Sequence, residues 1–187
     1  MTNRDAAIQT PRLLLQPWRR EDAAEAARLY GDPAVVRWLS PAMTPVPDVA
    51  AMELVLEQWD HEHGRLTPPA GRWAVRARDD GRLVGGAVLL PLPPDAEDSE
   101  VGYALLPAER GKGFASEAAL GLVRWAFAEG LPEVFVVARP RNVAAVAVAD
   151  RLGFQWVGET SKYYGLTLRV YRLRPGDLED VVLPSAS

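Results

Sequence analysis

Arg110, Gly111, Lys112, Gly113, Phe114 and Ala115 stand in one unbroken run, and their types suit the holding of an anion. The run follows an alternating, strand-like stretch over residues 100–106 and precedes an apolar-periodic helix that begins near Ala115. The first amides of a helix have no intrahelical partner, and the helix dipole adds positive partial charge at that end. A glycine-bearing loop between strand and helix therefore turns several free N–H groups toward one point. Gly111 and Gly113 let the backbone approach a ligand closely and take up positive φ. Arg110 and Lys112 bring full positive charge. The chemistry this predicts is the cradling of a phosphate-bearing molecule.

Three loop patterns compete for that role. A P-loop requires G-x-x-x-x-G-K-[ST], but here Lys112 is followed by Gly113, and Leu106 occupies the first glycine position. A dinucleotide fingerprint requires G-x-G-x-x-G or A and an acidic residue ending the next strand. Ser116 takes the third small position, and the strand over residues 133–138 ends in Ala138 before Arg139. The third pattern, R-x-x-G-x-A between a strand and a helix, is matched by Arg110, Gly113 and Ala115. It resembles the acetyl-CoA pyrophosphate loop of the GNAT N-acetyltransferase superfamily. The longer run over residues 100–118 resembles that family's ribosomal-protein N-acetyltransferase branch. A second block agrees, because Asn142 opens a helical run that closes with Leu152, Gly153 and Phe154. This N-x(9)-L-G-F pattern, about thirty residues after the loop, resembles the family's other signature. The strand around residues 10–15 also resembles the opening of this branch, and the resemblance extends to about Arg174.

The resemblance implies acetyl transfer from acetyl-CoA to a primary amine, on a protein N-terminus or a small molecule, by direct attack in a ternary complex. It also implies roles. The backbone of Tyr103, Ala104 and Leu105 would bond the pantetheine amides like an added strand, and an N–H such as that of Leu105 would receive the developing oxyanion. Holding the reactants in line contributes up to about 7–11 kcal/mol in favourable cases. Glu100 stands ten residues before Arg110, where several relatives keep an acidic base. It reads equally as a surface glutamate at a strand end. Asn142 would face the cofactor, and asparagine is also a favoured N-cap. Two departures stand out: Ala145 replaces a serine of many relatives, and Ala149 replaces a tyrosine that in others protonates the leaving thiolate. A thiol of pKa roughly 8.5 is a tolerable leaving group without a strong acid. Tyr163 or Tyr164 is either a stand-in acid or part of an aromatic loop packed on the core or on a dimer partner. Trp38, Met43 and Trp59 fall in the region that covers the acceptor site in relatives, although Trp59 continues a helical stripe that reads as core. The missing serine and tyrosine keep a non-catalytic acyl-CoA-binding module open as an alternative. A nucleotide-binding domain is a more distant one.

These residues need a scaffold. At 187 residues the chain suits one domain, residues 1–174, followed by a loose tail over residues 175–187 in which residues 181–183 could dock on a partner. The chain contains no cysteine, so disulfide and thiolate chemistry are excluded. His61 and His63 lack further histidine neighbours, and no metal is expected. A net charge of −4 argues against general nucleic-acid binding and suits cationic, amine-bearing acceptors. The polar N-terminus lacks a signal-peptide core, and no apolar run approaches the ~20 residues that cross a bilayer. A soluble cytoplasmic protein without membrane contact is the simple expectation. Relatives are often homodimers, but no motif here requires it.

Strands are expected over residues 12–17, 72–78, 83–92, 100–106, 133–138, 155–159 and 168–174, and helices over residues 21–30, 33–39, 48–63, from 115, and from 142. Interleaved in this way, they predict an α/β fold: a mixed, mostly antiparallel sheet with helices on both faces. The resemblance adds that the parallel strands carrying Glu100 and Val136 splay apart, leaving a gap for the pantetheine arm.

Overall fold

A computed structural model describes residues 7–39, 41–178 and 181. Period-two burial sets its sheet. Leu13 and Leu15 are fully buried, with a half-buried Leu14 between them, as expected of a strand with one face in a core. The strands are β1 (Ile8–Gln9), β2 (Leu13–Pro17), β3 (Gly71–Ala77), β4 (Leu83–Pro91), β5 (Ser99–Leu105), β6 (Val134–Ala138), β7 (Gln155–Thr160) and β8 (Leu168–Leu173). The helices are α1 (Ala23–Tyr30), α2 (Pro33–Leu39), α3 (Val49–His63), α4 (Phe114–Ala128) and α5 (Val143–Arg151). Strand β1 was absent from the sequence expectation because two residues carry no periodicity. The other elements fall within one to three residues of it.

The eight strands run in the order β1-β2-β3-β4-β5-β6-β8-β7. Neighbours are antiparallel except β5 and β6, which run parallel and share one register pair, Glu100 with Phe135. Beyond that pair the two strands part, as expected. On the back face, α4 and α5 cover a core that includes Val75, Leu89, Val101, Leu105, Val136 and Leu173. On the front face, α1, α2 and α3 cover Ala74, Leu83 and Ala104. A separate front cluster joins Phe135, Leu168 and Val170 to Leu92 and Tyr163. Between the two front clusters stands Glu100.

Helix starts follow local chemistry. Asp48 caps α3 by accepting from the Ala51 amide at 2.8 Å. Asn142 caps α5 by accepting from the Ala145 amide at 3.3 Å. The buried Glu117 of α4 accepts from the Thr10 hydroxyl at 2.6 Å, the Arg12 amide at 2.7 Å and the Arg12 guanidinium at 2.6 Å, clasping α4 to the turn before β2. The expected tail is partly attached: Pro175–Leu178 form a 3-10 turn, and Leu178 and Val181 pack on the main core. Residues 179, 180 and 182–187, including the rest of the suggested docking stretch, lie outside the described residues.

Candidate active site

A cleft of about 1440 Å³ opens where β5 and β6 separate, and its lining includes Glu100, Tyr103, Ala104, Leu105, Arg110 to Ala115, and Asn142. Its volume exceeds the ~300–1,000 Å³ of an ordinary small-molecule site, as an extended ligand with a second reactant requires. One wall is unpaired strand edge. The Leu106 amide bonds Val84 at 3.0 Å, and the antiparallel register continues along β5. Alternation then turns the N–H groups of Tyr103 and Leu105 away from β4, into the gap.

The glycine loop closes the end of that edge. Gly111 and Gly113 have φ of 77° and 80°, and Gly113 is the N-cap of α4. Here glycine is needed, because the left-handed region strains any residue with a Cβ. The amides of Gly111 through Ser116 have no protein partner among the described residues; the first α4 donor used internally is that of Glu117, to Gly113. The loop's own cations are less free than expected. Arg110 donates to the carbonyls of Leu105 at 3.3 Å and Ala34 at 3.4 Å, tying the loop to the end of β5 and the start of α2. The Lys112 ammonium lies 2.9 Å from Glu109, which also holds Arg82. The amides of residues 111–116, unlike these two side chains, have no protein partner among the described residues.

Three cations that the loop motif does not contain also line the cleft. Arg12 donates to the Lys112 carbonyl at 3.0 Å and lies 4.7 Å from the centre of the Phe114 ring. Arg151 donates to Ser116 Oγ at 2.7 Å, and Arg124 projects from α4. Arg12 and Arg151 are distant from the loop in sequence, and Arg124, though on α4 itself, belongs to no motif. The Tyr103 hydroxyl is buried at the cleft wall with no partner among the described residues. Burial pushes its phenol pKa upward against the pull of Arg151, so it stays a neutral donor. Unpaired amides at one end and unpaired strand edge with an orphaned hydroxyl along the side fit a ligand that has a diphosphate and an amide-bearing arm.

Glu100 faces the front of the sheet and the cleft. Burial pushes its pKa up to about 7, opposed by a bond at 2.9 Å from the Tyr164 hydroxyl, which favours the charged form. Asn142 serves as helix cap and cleft wall at once. Ala145 lines the cleft, and Ala149 is buried in the core. Trp38 lines the cleft with Val35 and Leu39. Met43 and Trp59 do not, being packed in the front cluster, where Trp59 meets Tyr30 edge-to-face at 5.5 Å. Tyr163 is buried and donates to Asp98 at 2.5 Å.

The parted parallel strand pair beside a helix start with unpaired amides defines an α/β fold suited to an extended anionic ligand, and comparison with known proteins gives its family. The acetyltransferase (GNAT) domain family matches residues 12–155. The chain is 26% identical over 177 residues to the uncharacterized N-acetyltransferase p20 of Bacillus licheniformis, spanning 94% of this chain and 93% of that one. It is 30% identical over 158 residues to FsC-acetyl coenzyme A-N(2)-transacetylase of Aspergillus fumigatus, spanning 80% of this chain and 65% of that one. The fold matches Mycobacterium smegmatis RimJ in complex with CoA-disulfide with a TM-score of 0.77 at 19% identity, covering 95% and 90% of the two chains. It matches the ribosomal-protein-S5-alanine acetyltransferase of Vibrio fischeri with a TM-score of 0.74 at 19% identity, covering 96% and 100%. The chain belongs to the GNAT acetyltransferase family and is an N-acetyltransferase that uses acetyl-CoA. Among the described residues no helix is long and apolar enough to cross a membrane.

Proposed function

We propose that the protein acetylates a primary amine, on a peptide N-terminus or a small molecule, by direct attack on acetyl-CoA held in the β5–β6 gap. The observation that carries this reading is the placement of the Glu100 carboxyl on the wall of the same cleft that holds the free amides, where burial pushes its pKa up to about 7. Amides 111–116 and the N terminus of α4 hold the diphosphate. The Tyr103 and Leu105 edge aligns the pantetheine arm, with the Asn142 side-chain amide beside it. Ionised Glu100 takes a proton from the ammonium directly or through one water, and the neutral amine attacks the thioester carbonyl. A β5 amide, that of Leu105 first, receives the oxyanion, a contribution of about 3–4 kcal/mol in comparable sites. The tetrahedral species then collapses to the amide with loss of the thiolate, the remaining ammonium proton passing to water or to the departing sulfur, whose low basicity dispenses with the absent serine and tyrosine. Val35, Trp38 and Leu39 line the same cleft as Glu100, which favours an amine carried on an apolar group.

Titration calorimetry with acetyl-CoA, followed by thiol-release assays over a panel of small amines and peptides, tests this. Binding followed by amine-dependent release of CoA is the expected result. Tight binding with no turnover on any acceptor would make the protein a non-catalytic acyl-CoA-binding module instead.

A further inference from the structure

We infer that Tyr164 is a positioning residue for Glu100: its hydroxyl pins one carboxylate oxygen so that the other is presented to the acceptor amine. This rests on the reading of Glu100 as base. Tyr164 reaches Glu100 from the loop between β7 and β8, across the place where β5 and β6 share their one register pair. Its hydroxyl donates to Oε2 at 2.9 Å. Tyr164 has φ of 54°, in the left-handed region that a bulky side chain rarely occupies, so the surrounding contacts dictate its placement.

Those contacts are specific. Lys162, Tyr163 and Tyr164 each reach a carboxylate on β5 or the loop before it. Lys162 lies 3.2 Å from Asp95 and 3.7 Å from Asp98, and Tyr163 donates to Asp98 at 2.5 Å. The Tyr163 ring is embedded among Leu92, Phe135, Leu168 and Val170. Two tethers thus fix the loop, leaving the third residue to address the carboxyl in the cleft. Around Glu100, β4 presents Leu90 and β6 presents Phe135, while Asp98 and Lys162 are engaged with each other and with Tyr163. Among the described residues, Tyr164 is the only hydrogen-bond partner of the Glu100 carboxyl. A carboxylate without it would have no polar contact to choose its rotamer and would meet an ammonium in many orientations.

The test is the pH dependence of kcat/KM for Tyr164→Phe, Tyr163→Phe and Glu100→Gln with one amine acceptor. It is paired with ¹³C NMR titration of the Glu100 carboxyl in the free wild-type and Tyr164→Phe proteins. The ring is kept in Tyr164→Phe, and only the donor is lost. The expected result is an acidic limb displaced upward by about one pH unit, giving a roughly tenfold loss below the limb and little above it. The KM for acetyl-CoA should be unchanged, and the NMR titration displaced equally. Tyr163→Phe should leave the limb in place. An unmoved limb and carboxyl titration in Tyr164→Phe would overturn the inference. A uniform loss at every pH would also overturn it, by making Tyr164 the proton donor to the thiolate. Failure of the base reading shows separately, as a Glu100→Gln profile that keeps the wild-type limb; the NMR titration then still decides whether Tyr164 governs the carboxyl.

Discussion

A carboxyl that titrates near neutrality acts as a base over only part of the pH range. Activity is therefore expected to rise through about pH 7 as Glu100 ionises. Replacing Glu100 by glutamine removes that limb. The variant should lose about 10²-fold or more in kcat/KM at neutral pH and approach the wild type at high pH, where the acceptor is already neutral. Thiol-release assays over pH 5.5–10 would check this, and an identical profile in the variant would remove Glu100 from the mechanism. Gly113 gives a second expectation at the same scale. An added Cβ would sit 3.3 Å from the Arg12 guanidinium at a φ of 80°, and an aspartate there would also put negative charge in the anion cradle. Gly113→Asp should lose measurable acetyl-CoA binding in calorimetry, yet keep its far-UV circular dichroism, since one left-handed non-glycine residue costs about 1–2 kcal/mol. The glycine loop was legible because a strand, two glycines and a helix start are local in sequence. The Tyr164–Glu100 contact was not, because it joins residues 64 apart and depends on the path of a loop.

At the scale of elements, α4 must be held firmly if its first turn is to hold an anion, and Glu117 supplies the fastening. Burial alone would raise the Glu117 pKa. Donation from the Thr10 hydroxyl and from the amide and guanidinium of Arg12 outweighs burial and keeps it below the usual carboxylate range. A depressed folded-state pKa adds stability that is present above the unfolded value, about 4.3, and is lost as pH falls through the lower folded one. Glu117→Gln is expected to destabilise the protein by about 2–3 kcal/mol at pH 7, with the deficit narrowing below about pH 4. Urea unfolding at both pH values measures it, and an equal deficit at each would show that the charge contributes nothing. This clasp escaped sequence reasoning because Glu117 falls on a helix face without a motif and its partners lie more than 100 residues earlier. Helix ends, by contrast, were legible from Asp48 and Asn142, since a cap is decided within four residues. The cap bond of Asn142 also leaves its side chain in the cleft wall, so the cap and cofactor readings are compatible rather than rival.

For the whole molecule, the alternation of strands and helices indicated the layer architecture, and the family resemblance added the parallel pair. Short edge strands such as β1 gave no signal, and neither did the attachment of Leu178 and Val181 to the core. The one-rung junction between β5 and β6 has a larger consequence. It is a seam: five strands lie on one side and three on the other, and the backbone stitches them at a single end. A molecule laid along the open part of that seam acts as a rivet, so occupancy and internal stiffness should rise together. Amide exchange at Tyr103 and Leu105 is expected to slow when acetyl-CoA is added, while Gly102 and Ala104, already paired with β4, change little. If all four slowed alike, the added rigidity would be spread through the fold rather than concentrated where the seam is open.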